Sequence, residues 1–345
     1  MSTQATEFAV QPPYLLFLAD VTDIADAKTA AGIHQWRGEL CAGQLRLPGC
    51  TVDLGLPDLT PVAAVSRGIK TMIIGIANDG GFIAEHWITS IVSALEAGLD
   101  VASGLHERLR DVPAIASAAE RSGRHLIEVR QPENVFKPGT GRKRSGKRLL
   151  TVGTDCAVGK KYTALAIEKE LRARGVKADF RATGQTGIFI SGRGVAVDSI
   201  IADFVSGAAE WLSPENTSDH WDVIEGQGSL FHPAYAGVTL GLVHGSQPDA
   251  MVICHDPRRS TLMGYEDFPI VDFRTCADAY LAAARLTNPN ARVVGISLNT
   301  SHLKDKRQAR KLLEKTTRET SLPCCDPIRL GVGEIIDNLL RPSPR

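Results

Sequence analysis

Short apolar runs recur along the chain, each ending in small or polar residues and followed by a stretch with helical spacing. Tyr14–Leu18 reads as the first strand, ending at Ala19-Asp20, with a helix over Ile24–Trp36. Cys50–Val52 and Thr71–Ile76 read as further strands, the second running through Ala77-Asn78-Asp79-Gly80-Gly81 into a helix from Trp87 to Ala97. Asp100–Ala102 and Leu126–Val129 continue the alternation. Apolar strands alternating with helices predict a parallel sheet covered on both faces. Residues 1–136 are therefore expected to form a Rossmann-like domain. No Gly-x-Gly-x-x-Gly follows the first strand, so a dinucleotide site lacks its main support there.

Residues 137–148 mix Pro138, Gly139, Gly141 and Gly146 with Lys137, Arg142, Lys143, Arg144, Lys147 and Arg148. Dense glycine and charge without apolar periodicity read as a basic linker, either a solvated hinge or a basic rim beside an anion site. A second α/β series then occupies residues 149–345. Its strands are read at Arg148–Val152, Val176–Arg181, Trp221–Ile224, Ala250–Cys254 and Val293–Leu298. Helices are expected over Tyr162–Gly175, Val197–Trp211, Leu303–Thr317 and Gly333–Leu340. Asp198 and Asp203 would lie near the start of the second of these.

Between the first strand and helix of this series stands Gly153-Thr154-Asp155-Cys156-Ala157-Val158-Gly159-Lys160. Strand, glycine-bounded loop, lysine and helix form the layout of a phosphate-binding P-loop. Loop N–H groups and the helix N-terminus would face an anion, and Lys160 would add a point charge. The position after the lysine usually carries a Ser or Thr that holds Mg²⁺; here it is Lys161, followed by Tyr162. Thr163 lies about 200° further round the helix and cannot simply replace that ligand. Such a loop suits holding a phosphate better than cleaving one.

Composition narrows the class. The 345 residues suffice for two domains, and 39 basic residues balance 39 acidic ones. Neither a nucleic-acid surface nor a membrane patch is expected. No apolar run approaches the roughly 20 residues of a membrane span, and Met1–Ala9 has no signal-peptide core. Seven cysteines without paired Cys-x-x-Cys spacing suggest free thiols in a reducing cytoplasm, and a structural zinc site is not supported.

Ligands of open α/β sheets bind beyond the carboxyl ends of strands, so polar residues there carry weight. Glu225 ends one strand; it could be a metal partner, a general base, or a carboxylate paired with Lys160 or Lys161. His232, in the loop Glu225–Pro233, has an acid–base pKa near about 6.5 when unperturbed, or serves only the loop. His244 and His255 are weaker candidates. Thr183, Gln185, Thr186, Gln227 and Ser229 offer polar contacts to a substrate, and Arg193 could clamp a carboxylate. The alternative for these is turn chemistry. Asn299 could read a purine ring or cap its loop. Cys156 sits at a helix N-terminus, where a thiol pKa can fall; with no base adjacent in sequence, packing is the preferred role.

Gly153–Lys160 is similar to the phosphate loop of dethiobiotin synthetase, apart from Lys161. A broader resemblance links this loop with Thr183-Gly184-Gln185-Thr186-Gly187, Glu225-Gly226-Gln227-Gly228-Ser229, His232-Pro233-Ala234-Tyr235 and the run Gly241–Ala250. Together they resemble a bacterial and archaeal family catalogued as a domain of unknown function and associated with D-glutamate N-acetyltransferase activity. Its members combine a Rossmann-like domain with a P-loop domain. The resemblance implies acetyl-CoA as donor and an acidic D-amino acid as acceptor; no metal is expected, because Lys161 stands where its hydroxyl ligand would be. Coenzyme A carries a pyrophosphate and a ribose phosphate, which a P-loop can hold without hydrolysis. Small-molecule partners and a homo-oligomer are expected. Two rivals stay open: an ATP-dependent ligase or kinase of dethiobiotin-synthetase type, and a nucleotide-sensing binding protein.

Overall fold

Burial of Leu15, Leu16, Phe17 and Leu18 on both faces of the first strand requires helices above and below it. The computed structural model, which describes residues 10–131 and 134–341, supplies them. Met1–Ala9, read for a leader, lies outside the described residues. The described residues divide into two compact units: 10–131, 134–135 and 184–199, and 136–183 with 200–341.

The first unit alternates β1 (Tyr14–Ala19), α1 (Lys28–Arg37), β2 (Cys41–Arg46), α2 (Pro61–Ser66), β3 (Thr71–Ile74), α3 (Ile88–Ala97), β4 (Asp100–Ser103), α4 (Pro113–Ser122) and β5 (Leu126–Glu128). All pairings are parallel, in the order β2-β1-β3-β4-β5. Trp87, Ile91, Leu95 and Ile115 bury one face of the sheet against Phe17, Met72, Ile74 and Val101.

The second strand is not Cys50–Val52 but Cys41–Arg46. Its pattern is masked by Gly43 and Gln44. Gly43 is there because a Cβ would come within 2.5 Å of Leu59 Cδ1. Gln44 is fully buried, its amide donating to Asp53 and accepting from Leu54 N–H, so it anchors the loop that contains residues 50–52.

The second unit begins with β6 (Lys147–Gly153), α5 (Lys160–Ala173) and β7 (Ala178–Arg181). The chain then gives α6 (Gln185–Ser191) to the first unit and returns with α7 (Val205–Leu212), β8 (Trp221–Ile224), α8 (Ala236–Ser246) and β9 (Ala250–His255). A hairpin of β10 (Thr261–Leu262) and β11 (Tyr265–Pro269) precedes α9 (Phe273–Arg285) and β12 (Arg292–Leu298). The last elements are α10 (Lys306–Thr320), β13 (Cys324–Cys325) and α11 (Gly333–Leu340). The sheet is parallel with order β13-β12-β9-β6-β8-β7. Hence β6 is central, flanked by β8 on one side and β9 on the other.

Two further expectations change. The helix read over Val197–Trp211 starts only at Val205, after separate turns at Val197–Ser199 and Ala202–Phe204. Ser199 Oγ donates to the Ala196 carbonyl, a local bond that competes with helix. Asp198 belongs to the first unit, paired with Arg130, whereas Asp203 belongs to the second. The basic stretch 137–148 changes in part: Lys137, Arg142, Lys143 and Lys147 are exposed, while Arg144 and Arg148 are tied into the fold. Arg148 is fully buried, donating to the carbonyls of Ser213, Ser145 and Pro214, and Arg144 donates to Ser213 and Gly245 carbonyls. Both stand at the start of β6, whereas the loop leaves its other end. Among the described residues no helix is long and apolar enough to cross a membrane.

Candidate active site

β6 delivers its loop at the centre of the sheet, where a ligand meets the ends of several strands. Helix α5 starts at Lys160 behind Gly159, which has φ of 102°, with no side-chain cap and no acidic residue in its first turn. The uncapped N–H groups and the helix dipole face the loop, an arrangement that favours an anion. Ala157 takes a left-handed φ of 51° within the loop.

Lys160 is buried, and its Nζ donates to the Asp155 carbonyl at 2.7 Å. Burial pushes its pKa down, against the attraction of Cys156, Cys254 and Asp155. The Lys160 amine thus sits on the loop's own carbonyl oxygen. Gly226, after β8, closes the floor. A Cβ there would lie 1.7 Å from the Thr151 carbonyl and 3.2 Å from Lys160 Cδ.

Asp155 is fully buried and acts as an anchor. Oδ1 accepts from Cys156 N–H at 2.6 Å, and Oδ2 accepts from Met263 N–H at 2.9 Å and from Arg259. The same Arg259 Nη1 donates to the Cys156 carbonyl at 2.6 Å. Thr154 Oγ1 lies 2.9 Å from His255 Nδ1. Tyr280, fully buried on α9, donates through Oη to the Gly153 carbonyl at 2.9 Å and accepts from Leu230 N–H at 3.2 Å. Sequence alone gives Tyr280 no role and marks Arg259 only as a neighbour of His255. They lie over a hundred residues from the loop, and no local pattern ties them to it.

Glu225, at the end of β8, is buried; its Oε2 accepts from Thr183 N–H at 3.0 Å, and Thr183 Oγ1 donates to the Glu225 carbonyl at 2.7 Å. Gln227 Nε2 donates to Thr183 Oγ1 at 3.1 Å. Ser229 Oγ donates to the Gly153 carbonyl at 3.0 Å. Glu225, Thr183, Gln227 and Ser229 therefore come together on the β8 side of the loop.

His232 is buried with Nε2 3.1 Å from the Met263 carbonyl and Nδ1 3.3 Å from Ala234 N. Its ring stacks on Tyr235 and meets Tyr265 edge-on. Both nitrogens are engaged, one as donor and one as acceptor, so the ring clamps the hairpin to the β8 loop.

Asn299 lies beyond β12, its Nδ2 donating to Asp256 at 3.2 Å and its Oδ1 accepting from Ser301 N–H. Lys161 Nζ lies 4.7 Å over the Tyr162 ring. Gln185, Thr186 and Arg193 belong to the first unit. There the Gln185 amide is oriented to donate to the Gly104 carbonyl and accept from Arg130, and Thr186 Oγ1 lies 3.3 Å from Thr29 Oγ1. Arg193 caps a turn through its main chain, bonded to Ser191 Oγ.

Two arrangements beside the phosphate loop bear on metal chemistry there. Thr163 Oγ1 donates to the Gly159 carbonyl at 3.0 Å and pairs with Ser297 Oγ at 2.8 Å, fully buried, so its hydroxyl is spent inside the fold. Asp155, Cys156 and His232 place one ligating atom each within 4.8 Å of one another. The carboxylate there already serves Arg259 and two N–H groups, and both imidazole nitrogens are in use. This donor set does not fit a cation.

With this geometry in view, the matches to known proteins are consistent throughout. Residues 136–336 match the model of the domain of unknown function described as the DUF1611 C-terminal P-loop domain, and residues 45–132 match its N-terminal Rossmann-like domain. A curated protein of Tritonibacter scottomollicae named D-glutamate N-acetyltransferase is 49% identical over 330 residues, covering 96% of this chain and 99% of that protein. One of the same name from Pseudoalteromonas sp. is 48% identical over 332 residues, with the same coverage. The chain belongs to the D-glutamate N-acetyltransferase family. It is therefore an enzyme, an acyltransferase. The crystal structure of a DUF1611 family protein from Anabaena variabilis shares the fold, with a TM-score of 0.85 at 30% identity, covering 96% of this chain and 99% of that one.

Proposed function

We propose that this enzyme transfers an acetyl group from acetyl-CoA to the amino group of D-glutamate or a closely similar acidic D-amino acid, with the phosphate loop holding the coenzyme's phosphates. One observation carries the loop's part in this reading. Lys160 and the uncapped start of α5 form an anion site with Lys161 at the usual hydroxyl position, and the next threonine along the helix, Thr163, is buried and doubly bonded. Such a site retains a pyrophosphate without presenting a hydroxyl for Mg²⁺. The names of the two relatives support the acceptor.

Acetyl-CoA, when bound, supplies the acetyl group as a thioester. The residues around it have three tasks. Lys160 leaves the Asp155 carbonyl for a phosphate oxygen, and the N–H groups at the start of α5 complete the grip. On the β8 side, Glu225 takes a proton from the acceptor's ammonium so that the amine can attack the thioester carbon. The new C–N bond forms as the C–S bond breaks, and the second proton of the nitrogen passes to the departing thiolate, leaving the amide and the coenzyme thiol. Glu225 is favoured over His232 because both imidazole nitrogens are already engaged. Thr183 and Gln227, hydrogen-bonded beside Glu225, would orient the acceptor. Cys156 stays a packing residue, its thiol pKa raised by burial.

The test is thiol release from acetyl-CoA by the purified chain with D- and L-glutamate, D-aspartate and D-glutamine. Release with D-glutamate supports the reading. Release only with amines lacking a second carboxylate would overturn the acceptor.

A further inference from the structure

We propose that the hollow beside Arg258 and Arg259 is the subsite for the 3′-phosphorylated nucleoside end of coenzyme A, and that Arg258 reads the 3′-phosphate. The proposal rests on the coenzyme reading given above.

The hollow, of about 470 Å³, lies between the end of β9 and the hairpin, lined by Arg258, Arg259, Ser260, Met263 and Glu266 among others. That volume suits a small organic ligand. Arg259 ties it to the phosphate loop, since its Nη1 holds both Asp155 and the Cys156 carbonyl. The other terminal nitrogen, Nη2, meets only Met263 Sδ, at 3.9 Å, among the described residues. Arg258 gives Nε and Nη2 to the buried Asp256 carboxylate at 3.0 and 2.6 Å. This bidentate pair fixes the guanidinium plane. Among the described residues Nη1 of Arg258 has no partner, and its side chain is 54% exposed. Two guanidinium groups are thus held rigid from behind, each with donors left over. Preorganised donors of this kind suit a phosphate.

Strand order supplies the direction. Across the sheet the groups follow one another as Asn299 after β12, Arg258 and Arg259 after β9, the phosphate loop after β6, and Glu225 after β8. With the pyrophosphate on the loop and the proton acceptor on the β8 side, the nucleoside end falls on the β9 side. Glu266 has a use there as well. Ribose hydroxyls and the adenine amino group are donors, so a nucleotide offers partners to a carboxylate as well as to guanidinium groups. An acidic amino acid would also present both charges, and the experiment separates it.

The test is calorimetric titration of the full chain with coenzyme A and with dephospho-coenzyme A, which lacks only the 3′-phosphate. One charge-assisted contact predicts that the wild-type chain binds coenzyme A about tenfold or more tightly than the dephospho form. In Arg258→Ala that ratio should collapse towards one through loss of coenzyme A affinity, with Arg258→Lys recovering part of it. Equal binding of the two forms by the wild-type chain would overturn the subsite while leaving the coenzyme reading intact. So would an Arg258→Ala that weakens both alike, or that keeps coenzyme A affinity and raises KM for D-glutamate, which would make the hollow the acceptor's. Binding of neither form by the wild-type chain would remove both readings. The wild-type comparison needs no variant, so it decides even if Arg258→Ala misfolds around Asp256.

Discussion

Lys160 Nζ lies 2.7 Å from the carbonyl oxygen of Asp155, five residues earlier in the same loop. The loop thereby holds its own cation in place by a bond that a ligand can replace. Burial lowers this lysine's pKa, and an incoming phosphate would raise it again.

That exchange predicts linkage between acetyl-CoA binding and protonation. With the folded pKa below that of an ordinary lysine, part of the Lys160 population is neutral in the window below about 10.4. Acetyl-CoA binding should take up protons there, and affinity should fall as pH rises through the window. In the empty protein the sign for stability is the reverse. The unfolded state binds more protons across this window, so the Lys160 contribution favours folding as pH rises. Calorimetry in buffers of different ionisation enthalpy reads the uptake, which should be absent in Lys160→Ala.

The base is assigned by kinetics. General-base assistance is worth about 10²–10⁴-fold, so Glu225→Gln should lower kcat by that factor with KM for acetyl-CoA little changed. His232→Ala should act chiefly on stability, since it removes two hydrogen bonds and the ring contacts with Tyr235 and Tyr265. Cys156→Ala should keep most activity. An acetyl adduct on Cys156, found by mass spectrometry after incubation with acetyl-CoA alone, would contradict the direct mechanism.

Two glycines, one in the site's floor and one on an exposed helix, make a paired test of packing. Gly226→Ala cannot be accommodated without moving Thr151, and overpacking of this kind costs about 1–3 kcal/mol or more. Gly237, helical and exposed on α8, has nothing within 4 Å of an added Cβ, so Gly237→Ala should stabilise by about 0.4–1 kcal/mol. Denaturant titration of both variants checks the signs.

What could be read in the sequence follows from where the bonding is local. β6, its loop and α5 are contiguous, and their signals, an apolar run, two glycines and a lysine before a helix, survive in one short stretch. β8, β9 and β12 are buried on both faces and stand out as apolar runs. β2 was displaced because its interior holds Gly43 and a buried Gln44, which no periodicity marks as strand. α9 escaped because only Cys276, Tyr280 and Ala284 are buried along it, yet Tyr280 holds the base of the phosphate loop. The candidate site divided the same way. Glu225, Thr183, Gln227 and Ser229 were found at strand ends and come together. Gln185, Thr186 and Arg193 follow Thr183 closely in the chain but fold with the other unit. The role of Arg259 was invisible, since its partners Asp155 and Cys156 are set by tertiary structure alone.

The proposed role of the phosphate loop is to hold a donor coenzyme rather than a nucleotide to be hydrolysed. It is tested most directly by titrating wild-type and Lys160→Ala chains with acetyl-CoA, with and without Mg²⁺, beside a titration with ATP and Mg²⁺. The wild-type chain should bind acetyl-CoA independently of the metal, and a folded Lys160→Ala should lose about tenfold or more in affinity. Unchanged acetyl-CoA affinity in Lys160→Ala, or binding of ATP with Mg²⁺ accompanied by phosphate release, would contradict it.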